Sequence, residues 1–388
     1  MNRMTNKLKG ISLIFGLGLC VGLSCLFGCG NNEKVITKAS SEVAKRNFDS
    51  AMESILELSD REIVKSDTLC QLLSAAYYGN SLKPVRDIAN ECYDLDFMPD
   101  GKTIIFSDYQ TGALNFYSFP DMKATRTILL PSRCFGVDVN SDGSLLAAAM
   151  GNKNIAVYDL ATGEKKKEWI AHDGAVRDVK FGDNGELFSC GNDQRVKAWH
   201  LNSDKPEWTK HSNSRNIKNI GLNANHSRLV TASNDGMASI LYLYGDKRGR
   251  EEGKLPCSDN YLNGAAFSQD GKFIATATGD GHLQTWNVDN HKLLHDIVMD
   301  DHLGGLAISP DSKHIIVGGE KKAYIIDAEA GKVTGVMPGR NMPIWAVAFI
   351  DNNHFAFADN TTFWHGEILE KQALVDAARK IHKAGKKN

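Results

Sequence analysis

The feature that most constrains this chain is a turn that returns at nearly constant intervals. The tripeptides Pro99-Asp100-Gly101, Ser141-Asp142-Gly143, Asp183-Asn184-Gly185, Asn225-His226-Ser227, Gln269-Asp270-Gly271, Pro310-Asp311-Ser312 and Asp351-Asn352-Asn353 end 42, 42, 42, 44, 41 and 41 residues apart. Each follows a short apolar-rich segment, such as 176–181 or 262–267, and precedes another, such as 272–276 or 314–317. Two extended segments joined by an Asp-Gly-type turn make a β-hairpin. A polar corner and a third segment come next, as between Gly191 and His200, and then a charged fourth segment such as 164–170. Lys165, Lys166 and Lys167 in that fourth segment suit an outer edge, where lysines discourage pairing with another chain.

A four-stranded sheet of this size cannot bury both faces alone, so neighbouring units must stack and the series must close into a ring. The reading is an all-β chain, a seven-bladed β-propeller over residues 81–369. Gly 35 against Pro 9 suits many tight turns between short strands. The seventh unit has no fourth strand of its own, and the strand-like segment 82–89 is expected to supply it. Residues 30–80 read as a linker and a helical hairpin, 41–58 and 61–78, with Val43, Phe48, Met52, Ile55 and Leu56 on one face and Ile63, Val64, Leu69, Leu72, Leu73 and Ala76 on the other helix. Ser41 and Ser59-Asp60 are the expected N-terminal caps. Residues 370–388 read as a basic C-terminal surface helix and tail, with Ala373, Leu374, Ala377, Ala378 and Ile381 on a stripe.

Residues 172–200 resemble a complete WD repeat, with His172 before the first strand, Ser189 on the second, Asp193 in the corner and Trp199 on the third. In that family these four side chains form a hydrogen-bonded chain, which satisfies a buried Trp N–H, hydroxyl and imidazole together. Thr276, Asp280 and Trp286 repeat three members, and Thr231 and Asp235 two, with Leu241 in the Trp position. Tyr117-Ser118, Tyr158-Asp159, Ile326-Asp327 and Trp364-His365 hold the dipeptide position elsewhere. The resemblance implies a seven-bladed WD-repeat β-propeller with an N-terminal helical segment and a C-terminal helix, acting as a scaffold for protein or peptide partners. It further implies docking on the face where the first strands begin. The residues six and four positions before the end of each first strand include Glu91, Tyr93, Arg133, Phe135, Arg177, Asn216, Lys218, Tyr261, Asn263, His302 and Trp345. The position before the corner acid adds Gln110, Asn192 and Asn234. Aromatic residues and Arg in this set are the types enriched at interface hot spots.

At the N-terminus Arg3, Lys7 and Lys9 precede an uncharged apolar run, 11–28, that stops at Cys29, the pattern of an export signal. Leu26-Phe27-Gly28-Cys29 resembles the bacterial lipobox. That likeness implies removal of the leader 1–29 up to Cys29, lipidation of Cys29, and a lipid-anchored protein of the cell envelope on the periplasmic or extracytoplasmic face. Gly30 and Asn31, with no Asp beside the lipid, imply the outer membrane by the enteric rule. A retained transmembrane anchor and an ordinary cleaved signal are the alternatives for an apolar run of this length. Without Cys20, Cys25 and Cys29, the cysteines Cys70, Cys92, Cys134, Cys190 and Cys257 remain. They show no CxxC or CxxCH spacing, which leaves zinc, thioredoxin-like redox chemistry and haem attachment unsupported.

The formal net charge of -2 lacks the basic footprint of a nucleic-acid binder. Asp138-Val139-Asn140-Ser141-Asp142-Gly143 copies the opening of a calcium loop, but Ala149 stands where the closing Glu belongs. No GxSxG, HExxH or phosphate-cradling loop is present, so no cofactor, metal or catalytic residue is expected. Two other readings stay open. Segments 159–164 and 327–332 resemble repeats of quinoprotein-like outer-membrane assembly propellers, although the corner acid and the His172 set point to the WD type. The other is a propeller hydrolase or lyase with its site at the central funnel, where Glu91 and His302 offer too little to build an acid–base pair.

Overall fold

A computed structural model describes residues 30–386, apart from 83, 87, 89, 340 and 341. The leader and Cys29 lie outside the described residues. Seven four-stranded antiparallel sheets form the blades of a ring. Their innermost strands are Cys92–Phe97, Cys134–Val139, Val176–Phe181, Ile217–Leu222, Leu262–Phe267, Leu306–Ile308 and Ile344–Phe349.

The sequence of each strand follows its distance from the axis. In blade 2 the second strand, Leu145–Met150, is buried along almost its whole length, so it is apolar on both faces. The fourth, Lys165–Ile170, is largely exposed and carries the lysines. Apolar side chains mesh between blades: Ile105, Leu114 and Phe116 of blade 1 meet Leu146, Ala148 and Tyr158 of blade 2. Trp169 of blade 2 and Trp199 of blade 3 pack edge to face, 5.6 Å between ring centroids.

Blade 7 is built from both ends of the ring. Its outermost strand is the two-residue Val85–Arg86, pairing with Phe363 and Thr362, much shorter than the segment 82–89.

The flanking helices differ from the expected hairpin. Among the described residues there are four before the ring, α1 Gly30–Ala44, α2 Phe48–Leu56, α3 Asp60–Lys65 and α4 Asp67–Ser81, and one after it, α5 Lys371–Gly385. Helix α1 runs through Ser41, so the expected linker is helical and Ser41 caps nothing. Ser59 does cap α3, in a capping box with Glu62. Ser66 starts α4 by accepting from the Leu69 N–H, which divides the segment read as one helix.

Helix α5 is no free surface helix. Leu374, Val375 and Ala378 are buried in the same core as Ile55, Ile63, Leu69 and Leu73. Helix α4 lies on the outer strand of blade 6, Lys332–Pro338: Gln71 Nε2 donates to the Val333 carbonyl (2.7 Å), and Ser74 Oγ accepts from the Val336 N–H (3.0 Å). The helices thereby cover an edge that would otherwise present unpaired backbone groups.

Candidate functional site

Six inner strands share one irregularity. The register of the first pair of strands shifts between Cys134 and Gly136, Val176 and Asp178, Ile217 and Asn219, Leu262 and Gly264, Ile344 and Ala346, and over two residues between Cys92 and Leu95. The unpaired residues are Phe135, Arg177, Lys218, Asn263 and Trp345, with Tyr93 and Asp94 in blade 1. A bulge re-aims the side chain it frees. Here every freed side chain lines one funnel of about 140 Å³ at the mouth of the channel. Blade 6 contributes Gly305, where a Cβ would come 1.8 Å from the Trp345 carbonyl oxygen, so only glycine lets blade 7 approach this closely.

One wall of the mouth is aromatic. Tyr93 stacks on Trp345 (5.9 Å, 13°) and on Tyr109 (4.8 Å, 27°), while Phe135 meets Tyr93 edge-on (5.7 Å). The other wall is cationic. The Arg177 guanidinium lies 3.9 Å from the Phe135 ring centroid. Lys218 Nζ lies 4.3 Å from the Tyr261 ring centroid and donates to Asn263 Oδ1 (2.7 Å). Burial and then the charge of Arg177 push Lys218 down to about 8.

Of the other expected face residues, Tyr261 hydrogen-bonds His302 beside Lys218. Arg133 donates to Tyr109 Oη (2.7 Å) at the exposed rim, and Glu91 accepts from Gln110. Asn216 and Asn234 line a separate hollow with Tyr261. Gln110 does not precede a corner acid: that acid is Asp108, which accepts from the N–H groups of Asn90, Gln110 and Thr111. Tyr109, absent from the sequence-based set, owes its place to following that acid.

Below the mouth the channel turns acidic. Asp94 accepts from the Val137 N–H (2.9 Å), Asp96 from Val139 (2.8 Å), Asp138 from Phe181 (2.7 Å) and Asp178 from Ile220 (3.0 Å), each in the next blade. Asn219 continues the series by accepting from the Ala265 N–H (3.1 Å). The segment read as the start of a calcium loop thus spends Asp138 on a blade-to-blade bond. Lys180 faces Asp138 (3.2 Å) and Asp178 (3.8 Å), and these acids hold it well above the ordinary lysine range against the effect of burial.

In blade 3 His172 Nε2 lies 2.7 Å from Ser189 Oγ, His172 Nδ1 lies 2.8 Å from Asp193, and Trp199 Nε1 donates to Ser189 Oγ (2.9 Å). In blade 5 Trp286 Nε1 donates to Thr276 Oγ1 (3.1 Å), but Asp280 accepts from Ser258 and Thr278 and stands apart from that pair. Ser258 is too short to bridge them as His172 does. In blade 4 Asn213 takes the His place, accepting from Thr231 (3.0 Å) and donating to Asp235 (3.2 Å).

Among the described residues, Glu186, His200 and Glu207 are the one trio whose ligand atoms come within 4.8 Å of one another. Protein donors already serve it: Tyr244 donates to Glu186 (2.5 Å) and Arg248 to Glu207. The five cysteines Cys70, Cys92, Cys134, Cys190 and Cys257 are all buried free thiols. Among the described residues no helix is long and apolar enough to cross a membrane.

Ring and mouth together define a seven-bladed β-propeller whose open end carries a mixed aromatic and cationic surface. Residues 163–200 and 249–287, the outer strands of blades 2 and 4 with the three inner strands of blades 3 and 5, match the WD domain, G-beta repeat family. The chain is 25% identical over 198 residues to "Transcription factor unc-37" of Caenorhabditis elegans, covering 50% of this chain and 32% of that protein. It is 22% identical over 244 residues to "Protein groucho" of Drosophila melanogaster, covering 61% of this chain and 32% of that protein. The chain therefore spans about a third of the length of these curated relatives.

Proposed function

We propose that this protein is a scaffold whose propeller docks protein or peptide partners at the channel mouth. The observation that carries this reading is the convergence of bulged side chains from six blades, Tyr93, Phe135, Arg177, Lys218, Asn263 and Trp345, on one funnel. Bulges gather at sheet edges and next to active sites, and here six of them release a side chain at the same level. Large aromatics and Arg at a concave centre are the residues whose truncation costs most in protein interfaces. Trp345→Ala is expected to weaken a partner by about 2 kcal/mol or more with the unfolding midpoint little changed. Partners recovered with the chain and retained after combined substitution of Arg133, Tyr261 and Trp345 would remove this face from consideration.

The same proposal places the ring at a membrane. Arg3, Lys7 and Lys9, the apolar run 11–28 and Cys29 support export and a lipid on Cys29, hence a cell-envelope location. Metabolic labelling with a tritiated fatty acid is expected to mark the chain and to lose that mark in Cys29→Ser. Unchanged labelling in the variant assigns the lipid elsewhere, and an unlabelled chain refutes the anchor.

A further inference from the structure

The two cations of the mouth are paired with aromatic rings and an amide and not with acids. Among the described residues, neither Arg177 nor Lys218 has a carboxylate within ion-pair distance, although Lys180, three residues along the strand of Arg177, has two. Arg177 spends its guanidinium on ring faces, 3.9 Å from the Phe135 centroid and 5.9 Å from that of Tyr93. Lys218 has one neutral acceptor, Asn263 Oδ1. Like charges placed together in a half-buried hollow are costly unless something negative joins them. The acids of the channel do not fill that role. Asp94 and Asp178 accept backbone N–H groups of the next blade, and Lys180 faces Asp178 from below.

Resting on the docking role proposed above, we propose that the mouth recognises an acidic peptide segment, seating one carboxylate between Arg177 and Lys218. The neighbouring apolar side chain of the peptide then lies against the Trp345–Tyr93–Tyr109 stack, whose rings are 5.9 and 4.8 Å apart. Two features select a peptide over a polyanion. The aromatic wall adjoins the cation pair within one funnel, which suits an acidic residue beside an apolar one. The funnel of about 140 Å³ also counts Asp94, Asp178 and Lys180 in its lining, which leaves room for a single carboxylate and its neighbouring side chain and not for a threaded phosphate backbone. Charge-assisted, partly desolvated bonds of this kind are the strong ones.

The probe is a peptide selected from a displayed library of random nonapeptides panned on the whole chain. The selected sequences are expected to carry Asp or Glu next to an aromatic residue or leucine. Exchanging that acid for its amide in the synthetic peptide is expected to weaken Kd at least tenfold, and needs no change in the protein. Arg177→Gln and Lys218→Met are each expected to do the same, and to have little further effect on the amide peptide. If selected peptides lose affinity in Trp345→Ala but bind equally well as acid and amide, the carboxylate site is overturned while the docking face stands. Peptides indifferent to Trp345→Ala as well overturn the face itself. A single-stranded oligothymidylate that displaces the peptide and depends on the same two cations overturns the choice of a peptide, as does a library that yields no binder.

Discussion

Asp96 holds its carboxyl inside the ring, where burial and the charge of Asp138 push it up to about 7; burial does the same to Asp94. An acid that keeps its proton to about 7 when folded, against an ordinary 3.8, binds more protons in the folded state. Its contribution to stability is therefore full below pH 3.8, declines as pH rises, and is lost above about 7. Asn219 shows that an amide can accept the same blade-to-blade bond. Asp96→Asn is accordingly expected to flatten the fall in melting temperature between pH 5 and pH 8; parallel profiles for the two proteins would refute this. At the tetrad, Ser189→Ala strands the Trp199 N–H and one imidazole nitrogen, and a loss of about 1–3 kcal/mol in urea unfolding is expected. The set His172, Ser189, Asp193 and Trp199 was legible because its residue types are rare in combination. Asn213 was not, since an amide near a strand start is ordinary and only its bonds to Thr231 and Asp235 reveal the substitution. The cation pair was half legible: spacing singled out Arg177 and Lys218, but not that they stand together without an acid.

At the corner of blade 4, Gly236 adopts φ +78, and a Cβ there would meet the Ser258 carbonyl oxygen at 1.9 Å. Gly236→Ala is expected to cost about 2 kcal/mol or more, from the left-handed backbone and the displaced loop together, read as a lower denaturant midpoint. The helices were the elements least well drawn from sequence. Their apolar faces were recognised, but Ser66 breaks 61–78 by capping α4, a choice between continuing and restarting that hydrophobic spacing does not encode. The bulges were hidden for a related reason. One extra residue reverses the alternation of side chains, but a six-residue strand leaves too few residues on either side to show the change of phase, so the seven turns were visible and the register shifts were not. Helix α5 is tied to the others by Arg379, which donates to Asp60 Oδ1 (2.6 Å), to the Leu56 carbonyl at the end of α2 (3.0 Å) and to the Leu58 carbonyl just past it (2.9 Å). Arg379→Ala is expected to cost about 1–2 kcal/mol and to speed amide exchange in α2 and α3 while leaving the blades protected.

Over the whole molecule, the repeat of turns was enough to count the blades, because a closed ring leaves little freedom once the unit and its number are known. How the helices attach was beyond reach of the sequence: α4 is joined to blade 6 by Gln71 and Ser74, bonds spanning 262 residues that no local pattern records. Removing residues 1–90 takes away Val85–Arg86 and the Tyr78 Oη bond to the Glu367 carbonyl (2.7 Å), leaving blade 7 with a bare edge. Such a truncation is expected to melt at least 10 °C lower and to self-associate through that edge, seen as a larger mass in light scattering. The same pairing sets an order in time. Val85 leaves the ribosome long before Phe363, its partner, has been made, so the early strand must wait through the synthesis of six complete blades. Closure thus waits until all the blades have been made, and a growing chain carries an unsatisfied strand open to any attending chaperone.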